Sequence, residues 1–205
     1  MKALVTGFSP FGGDATNPSF AAVRRLAEYG VGRGGKLELV TAELPTSFAR
    51  APRQLRTLIA QEKPHIVLCV GLAADRRVIS VERIAVNLCD ARIADNDGVQ
   101  PRDKPVIARA PAAYFSTLPV LDIVTALGRA GLPAESSMSA GAFVCNAVFY
   151  HLMHSIAKNH GPVRAGFVHV PALPRGLAAR DAQLAALAKG LAIVLDVAQR
   201  GIKGK

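Results

Sequence analysis

Cys145 follows the turn-like run Ser139-Ala140-Gly141-Ala142-Phe143-Val144 and opens a stretch with helical apolar spacing. A thiol in the first turn of a helix feels the positive end of the helix dipole and meets backbone N–H groups that have no intrahelical partner. Both favour the thiolate, the nucleophilic form. The same position also suits a buried cysteine packing as a small hydrophobe, and the residue by itself does not choose between them. Cys69 sits inside one apolar run and Cys89 near the end of another, so both read as core residues. The three cysteines share no metal-ligand or CxxC spacing.

His169 stands at the end of the strand-like run Ala165 to Val170, ahead of Pro171. Reactive groups in parallel α/β sheets gather at the carboxyl ends of strands. Cys145 at a helix start and His169 at a strand end can therefore meet at one edge, which is the proximity that a nucleophile and its base require. The plainer alternative is a histidine satisfied where its strand ends. Glu82 lies in the alternating segment Val78 to Ile93. A carboxylate on an imidazole fixes its tautomer and stabilises imidazolium; an ion pair with a neighbouring arginine such as Arg83 is the simpler reading. His151 and His154 are spaced i and i+3 on a helix, but no third ligand follows at a recognisable interval, so they read as helix-surface residues. The loop Thr6-Gly7-Phe8-Ser9-Pro10-Phe11-Gly12-Gly13 is rich in glycine but lacks GxGxxG and the P-loop lysine. Its phenylalanines suit an apolar pocket wall better than a phosphate cradle.

The elements that must position these groups alternate along the chain. Apolar runs predict strands over Lys2 to Thr6, His65 to Val70 and Ala165 to Val170, alternation predicts one over Leu37 to Leu44, and Glu135 to Ser139 reads as a short strand. Helical spacing predicts helices over Pro18 to Tyr29, Ser47 to Glu62, Pro119 to Ala130, Val144 to Asn159 and Asp181 to Gln199. Asn17 is a cap for the first of these, with proline at the first helical position. Val78 to Ile93 reads as a strand or hairpin, and Ala94 to Pro111 as the one long loop, a feature that is often functional. Strands separated by helices imply a mostly parallel sheet covered on both faces, a three-layer α/β/α fold in a single catalytic domain over 1–205.

Composition narrows the classes further. The chain has 205 residues, half of them hydrophobic, and a formal charge of +10. Its basic residues are scattered, as in Arg24-Arg25, Arg76-Arg77 and the tail Lys203 to Lys205, without a basic run or interleaved aromatics. A solvated basic surface is favoured over a nucleic-acid groove. No apolar run reaches membrane-spanning length, and the first residues do not form a secretory leader, so a cytoplasmic protein is expected. The residues alone leave two rivals open: a phosphate-using enzyme on a similar frame, and a basic binding protein without activity.

Several stretches together resemble the pyroglutamyl-peptidase I family. They are Thr6-Gly7-Phe8-x-Pro10-Phe11-Gly12-Gly13 with Asn17-Pro18, then Pro45-Thr46, then Val81 to Asn87 running on through Asp90-Ala91-Arg92-Ile93-x-Asp95-Asn96. Next come Pro111 to Phe115 with Leu118-Pro119, then Ala140-Gly141-x-Phe143-Val144-Cys145-Asn146, and finally Gly166-Phe167-Val168-His169-Val170-Pro171. Their order and spacing span about four-fifths of the chain, far more than one short motif can.

The resemblance implies a twisted, mixed sheet of the phosphorylase/hydrolase-like class and a cysteine exopeptidase that releases pyroglutamate from peptides. It implies Cys145 as nucleophile, His169 as its base and Glu82 as the residue orienting His169. Arg92 is similar to a residue near the oxyanion, and Phe8, Phe11, Asn17, Thr46, Ile93, Phe143 and Val144 line the ring pocket, Asn17 toward the amide end. It further implies no metal or organic cofactor, and a homodimer or homotetramer. The chain departs from the pattern at Asp75, where the family has glycine after Gly71-Leu72-Ala73-Ala74, and at Ala142, where threonine is frequent.

Overall fold

The first apolar run forms strand β1 (Lys2–Phe8) in the computed structural model of the chain, which describes residues 1–31, 37–159, 163–200 and 202. The basic tail Lys203 to Lys205 lies outside the described residues. Helix α1 (Pro18–Tyr29) follows, with the Asn17 side chain accepting from the Ser19 N–H, as the cap signal predicts. Next come β2 (Glu38–Leu44), α2 (Arg50–Glu62) and β3 (Ile66–Leu72). The middle of the chain gives β4 (Ile79–Glu82), β5 (Ile84–Val86), β6 (Ala113–Phe115), α3 (Val120–Arg129) and β7 (Ala134–Ser137). The chain then passes through α4 (Val144–Asn159), β8 (Arg164–Val170) and α5 (Leu177–Ala198).

Six strands form the main sheet in the order β2-β1-β3-β8-β4-β7. Pairing is parallel throughout except between β4 and β8. The central strands are apolar on both faces because both are covered. Ala3 and Val5 of β1, with Leu68 and Val70 of β3, pack beneath α1, α3 and α5. Leu4, Val67 and Cys69 face α2 and α4 across the other core, with Phe149, Leu152 and Phe167. Each buried Val, Leu or Phe among them contributes roughly 1.5–3 kcal/mol by leaving water. This is the three-layer α/β/α arrangement with a mostly parallel mixed sheet.

The segment read as a strand or hairpin is two strands that do not pair with each other. β4 lies in the main sheet, whereas β5 pairs antiparallel with β6 in a separate two-stranded sheet. Arg83 is the crossover: its N–H donates to the Ser137 carbonyl and its carbonyl accepts from Ser116 N–H. Cys89 correspondingly lies outside the named strands, in an isolated bridge to Lys104. The second helix begins at Arg50 rather than Ser47, because Ser47 is used as a turn whose Oγ accepts from Arg50 N–H. The last helix begins four residues before Asp181, in a turn whose residues 177–179 are exposed and add nothing to the buried apolar stripe.

The long loop is built rather than loose. Asp95 is buried; one carboxylate oxygen accepts from the N–H groups of Asp97 and Val99 and the other from Phe48 N–H. Asn96 Nδ2 donates to the Pro10 carbonyl, and its own N–H to that of Thr46. Asn87 ties the far end to Ile107 and Ala110. The loop is thereby fixed across the carboxyl ends of β1 and β2. Among the described residues no helix is long and apolar enough to cross a membrane.

Candidate active site

His169 is the penultimate residue of β8, in register with Gly71 of β3 and Ser80 of β4. Its ring is 4% exposed and packs on Phe167, with ring centroids 4.8 Å apart. Glu82 ends β4 beside it, fully buried, with Oε1 2.8 Å from His169 Nδ1. A carboxylate only accepts, so Nδ1 carries the proton and Nε2 is left for other work.

Cys145 is the second residue of α4 and half-buried. The turn before the helix passes through Gly141 at φ +76°, a left-handed conformation that favours glycine. Gly71 lies directly beneath the thiol: a Cβ there would come within 2.9 Å of Sγ and 2.8 Å of the Phe167 ring. Asn146, the next residue of α4, is buried and clamps β5, with Oδ1 on Val86 N–H and Nδ2 on the carbonyls of Val86 and Leu88. The Asp90 N–H in turn donates to the Ala142 carbonyl. The nucleophile turn and the segment leading to Arg92 are thus held as one unit.

Cys145 and His169 line a single cavity of about 590 Å³. Phe8, Phe11, Asn17, Thr46, Arg92, Ile93, Phe143 and Val144 line it as well, while Glu82 stands behind His169. Its apolar side holds Phe143 between Phe11, at 5.9 Å, and Phe48, edge-on at 5.3 Å. The polar atoms there are partly committed. Asn17 Oδ1 accepts from Ser19 N–H and Oγ–H, and its Nδ2 donates to the Ser9 carbonyl. Thr46 Oγ1 donates to the same carbonyl. Among the described residues nothing takes the second Asn17 N–H or the Thr46 lone pairs, which are left for a ligand. Arg92 is exposed, and Gln100 braces its carbonyl.

The balance at the thiol differs from the helix-start expectation. Burial pushes Cys145 up to about 12, and the charge of Glu82 adds to the effect. Its own backbone N–H and Arg76 pull the other way without overcoming it. No hydrogen bond joins Sγ to the imidazole among the described residues; such contacts often tighten only once substrate arrives. Cys69 and Cys89 are buried and inert, pushed by burial to about 12 and about 11.

The residue missed by inspection of the sequence is Arg76. It lines the cavity and donates from Nη1 to Glu82 Oε1 at 2.6 Å and from Nη2 to the Ser139 carbonyl at 2.7 Å. Arg83 does not pair with Glu82. Neighbours on a strand point to opposite faces, which excludes it. His151 and His154 are half-buried rather than on the open surface, and His154 Nδ1 lies 2.8 Å from the Tyr114 hydroxyl. Among the described residues no cluster of three or more His, Cys, Asp or Glu could hold a metal ion.

The profile of the pyroglutamyl peptidase family matches residues 1–200. A pyrrolidone-carboxylate peptidase of Gloeobacter violaceus is 46% identical over 201 residues, covering 96% of each chain. Pyrrolidone-carboxylate peptidase 1 of Ralstonia nicotianae is 48% identical over 180 residues, covering 88% of this chain and 82% of its own. The crystal structure of pyroglutamyl peptidase I from Bacillus amyloliquefaciens superposes with a TM-score of 0.87 at 39% identity, covering 96% of both chains. A mutant pyrrolidone carboxyl peptidase from Pyrococcus furiosus gives 0.88 at 37% identity, over 99% of this chain and 100% of that one. The fold and the residues around the cavity thus sit in a chain that belongs to the pyroglutamyl peptidase family, hydrolases of the cysteine type.

Proposed function

We propose that residues 1–205 act as one catalytic domain that hydrolyses the bond after an N-terminal pyroglutamyl residue, with Cys145 as nucleophile. The observation that carries the assignment of roles is that Cys145 and His169 open onto one aromatic-walled cavity while Glu82 holds His169 Nδ1 at 2.8 Å. Pyroglutamate is a neutral five-membered lactam. Its methylenes suit Phe8, Phe11, Ile93, Phe143 and Val144, and its ring amide needs the few polar partners that Asn17 and Thr46 still offer. A site that bonds the lactam discriminates against proline, whose ring lacks the carbonyl and leaves pocket groups unpaired.

His169 Nε2 takes the Cys145 proton as Sγ attacks the carbonyl that joins pyroglutamate to the next residue. The C–S bond forms, and negative charge moves to the carbonyl oxygen. Unpaired N–H groups of the first turn of α4, with Arg92, stabilise that oxyanion. Collapse breaks the C–N bond, and His169 returns the proton to the departing amine. A thioester to Cys145 remains. Water, deprotonated by His169, then attacks it and releases pyroglutamate and the thiol. Glu82 keeps the imidazole in one tautomer and stabilises its cationic form.

The test is release of fluorophore from a pyroglutamyl amide, with and without iodoacetamide. Turnover should stop on alkylation and should fall at least about a thousandfold in a folded Cys145→Ser protein. Full activity in that variant would remove Cys145 from the mechanism. The same proposal includes a cytoplasmic homodimer or homotetramer acting on peptides, with neither nucleic acid nor membrane as partner; light scattering on the purified chain reads the assembly.

A further inference from the structure

Glu82 is fully buried, yet its two oxygens are treated differently. Oε1 accepts from His169 Nδ1 at 2.8 Å and from Arg76 Nη1 at 2.6 Å. Oε2 has no hydrogen-bond partner among the described residues. Arg76 also reaches the Ser139 carbonyl at 2.7 Å, on the segment that leads into the Cys145 turn. One guanidinium therefore spans the carboxylate behind the base and the approach to the nucleophile. Its side chain is 22% exposed, so water screens the pair only in part.

The proposed cycle requires His169 in two charge states. When the imidazole is protonated, two cations face Glu82. When it is neutral, it offers Glu82 only an N–H dipole. A fully buried carboxylate left without a cation is costly. Among the described residues, Arg76 is the one Lys or Arg paired with Glu82. We propose that Arg76 is a positioning residue that carries the charge of Glu82 while His169 is neutral, so that the imidazole can release its proton at each step. The proposal rests on the reading in which His169 serves Cys145. It deepens that reading by naming what keeps Glu82 ionised through the cycle.

The direction of the effect follows from the charges. Glu82 pushes the Cys145 thiol up, and Arg76 pulls it down. With Arg76 neutralised, the carboxylate acts unopposed on both partners. The thiol becomes harder to ionise, and the imidazole holds its proton more tightly. Both limbs of the pH profile of kcat/KM then move to higher pH.

The experiment compares Arg76→Gln and Arg76→Lys with the parent protein. It reads kcat/KM for a pyroglutamyl amide against pH and, without substrate, the rate of iodoacetamide alkylation at a fixed pH. Arg76→Gln should move both limbs up by about one pH unit and slow iodoacetamide alkylation about tenfold at a fixed pH. Arg76→Lys should restore the limbs but not the full rate, since one ammonium cannot span both acceptors. An Arg76→Gln protein that loses rate or stability with its limbs unmoved overturns the proposal. Should Arg76→Gln not fold, the unmodified protein decides: the Arg76 guanidinium nitrogen resonances should shift with the midpoint of the His169 imidazole, and resonances indifferent to it overturn the proposal. The substrate-free reading also separates the two levels. Alkylation that follows expectation in a protein that cleaves no pyroglutamyl amide upholds the charge linkage and defeats the peptidase reading, and cleavage with unmoved limbs does the reverse.

Discussion

On one side of the cavity the side chains come from regular elements: His169 from β8 and Cys145 from the first turn of α4, with Glu82 of β4 behind. On the facing side they come from element ends and loops: Phe8 and Phe11 around the end of β1, Asn17 before α1, Thr46 after β2 and Ile93 just ahead of the long loop. The first wall is held by a buried charge relay in which Arg76, Glu82 and His169 touch in sequence. The second is held by neutral bonds, many to backbone, with Ser9, Thr46, Asn17 and Asn96 tying three loops together. In the proposed mechanism the groups that pass a proton sit on regular elements, His169 on a strand and Cys145 at a helix start, where small displacements are resisted. The facing wall is built from loops, and in the proposed mechanism its contacts affect binding more than the chemical step.

The sharpest test of that division is Glu82→Gln. The amide can still bond one atom of the imidazole, but it bears no charge and can present the wrong group to Nδ1. The variant should lose about 10²- to 10⁴-fold in kcat with KM changed only a few-fold. Steady-state kinetics on a pyroglutamyl amide measure both. A Glu82→Gln protein with unchanged kcat would show that the relay is only a structural ion pair.

The facing wall should respond in the opposite sense. Phe11 contributes an aromatic face to the cavity and packs on Phe143 at 5.9 Å. Phe11→Ala removes part of that face, a loss of about 1–2 kcal/mol of contact with the ring. KM should rise about tenfold while kcat stays within a few-fold. A fall in kcat equal to that in kcat/KM would mean that Phe11 acts on the chemical step, and the division between walls would fail.

The same contrast explains what the sequence disclosed. Helix α1 is found to the residue because Asn17, Pro18 and an apolar stripe agree on one start. β4 and β5 merge in the sequence because unbroken alternation marks extended chain without saying which partner it pairs with; the change of sheet at Arg83 is a tertiary event. β6 has three residues, too few for any period to show. At the site, Cys145 and His169 stand out as candidates from their places at a helix start and a strand end, and the resemblance gives them their roles. The pocket wall of loop residues has no periodic signal; the phenylalanines of the first loop suggest it, and the rest is legible only through resemblance. Arg76 escaped because its contact with Glu82 depends on the turn after β3 folding back over the end of β4. A helix-start argument for Cys145 counts the dipole but not the burial, which pushes the thiol up.

The smallest expected effect lies where the two walls meet, at Asp75. Arg76, next to it, has its guanidinium committed to Glu82 and to the Ser139 carbonyl. Asp75 also lines the cavity, but it is exposed and makes no ion pair among the described residues. If pyroglutamate fills the aromatic side, the departing chain leaves past residues 72–76, where Asp75 presents an uncommitted negative charge. An exposed carboxylate acts through screened Coulomb attraction worth less than about 1 kcal/mol. Asp75→Gly should therefore lower kcat/KM about two- to threefold for pyroglutamyl-lysine and pyroglutamyl-arginine peptides, and leave pyroglutamyl-alanine peptides unchanged. Added salt should erase the difference in the parent protein, because screening acts on the same interaction. Equal losses for basic and neutral peptides would instead place the effect in the turn itself, where glycine restores a flexibility that Asp75 removes, and the departing chain would then have to run along another part of the rim.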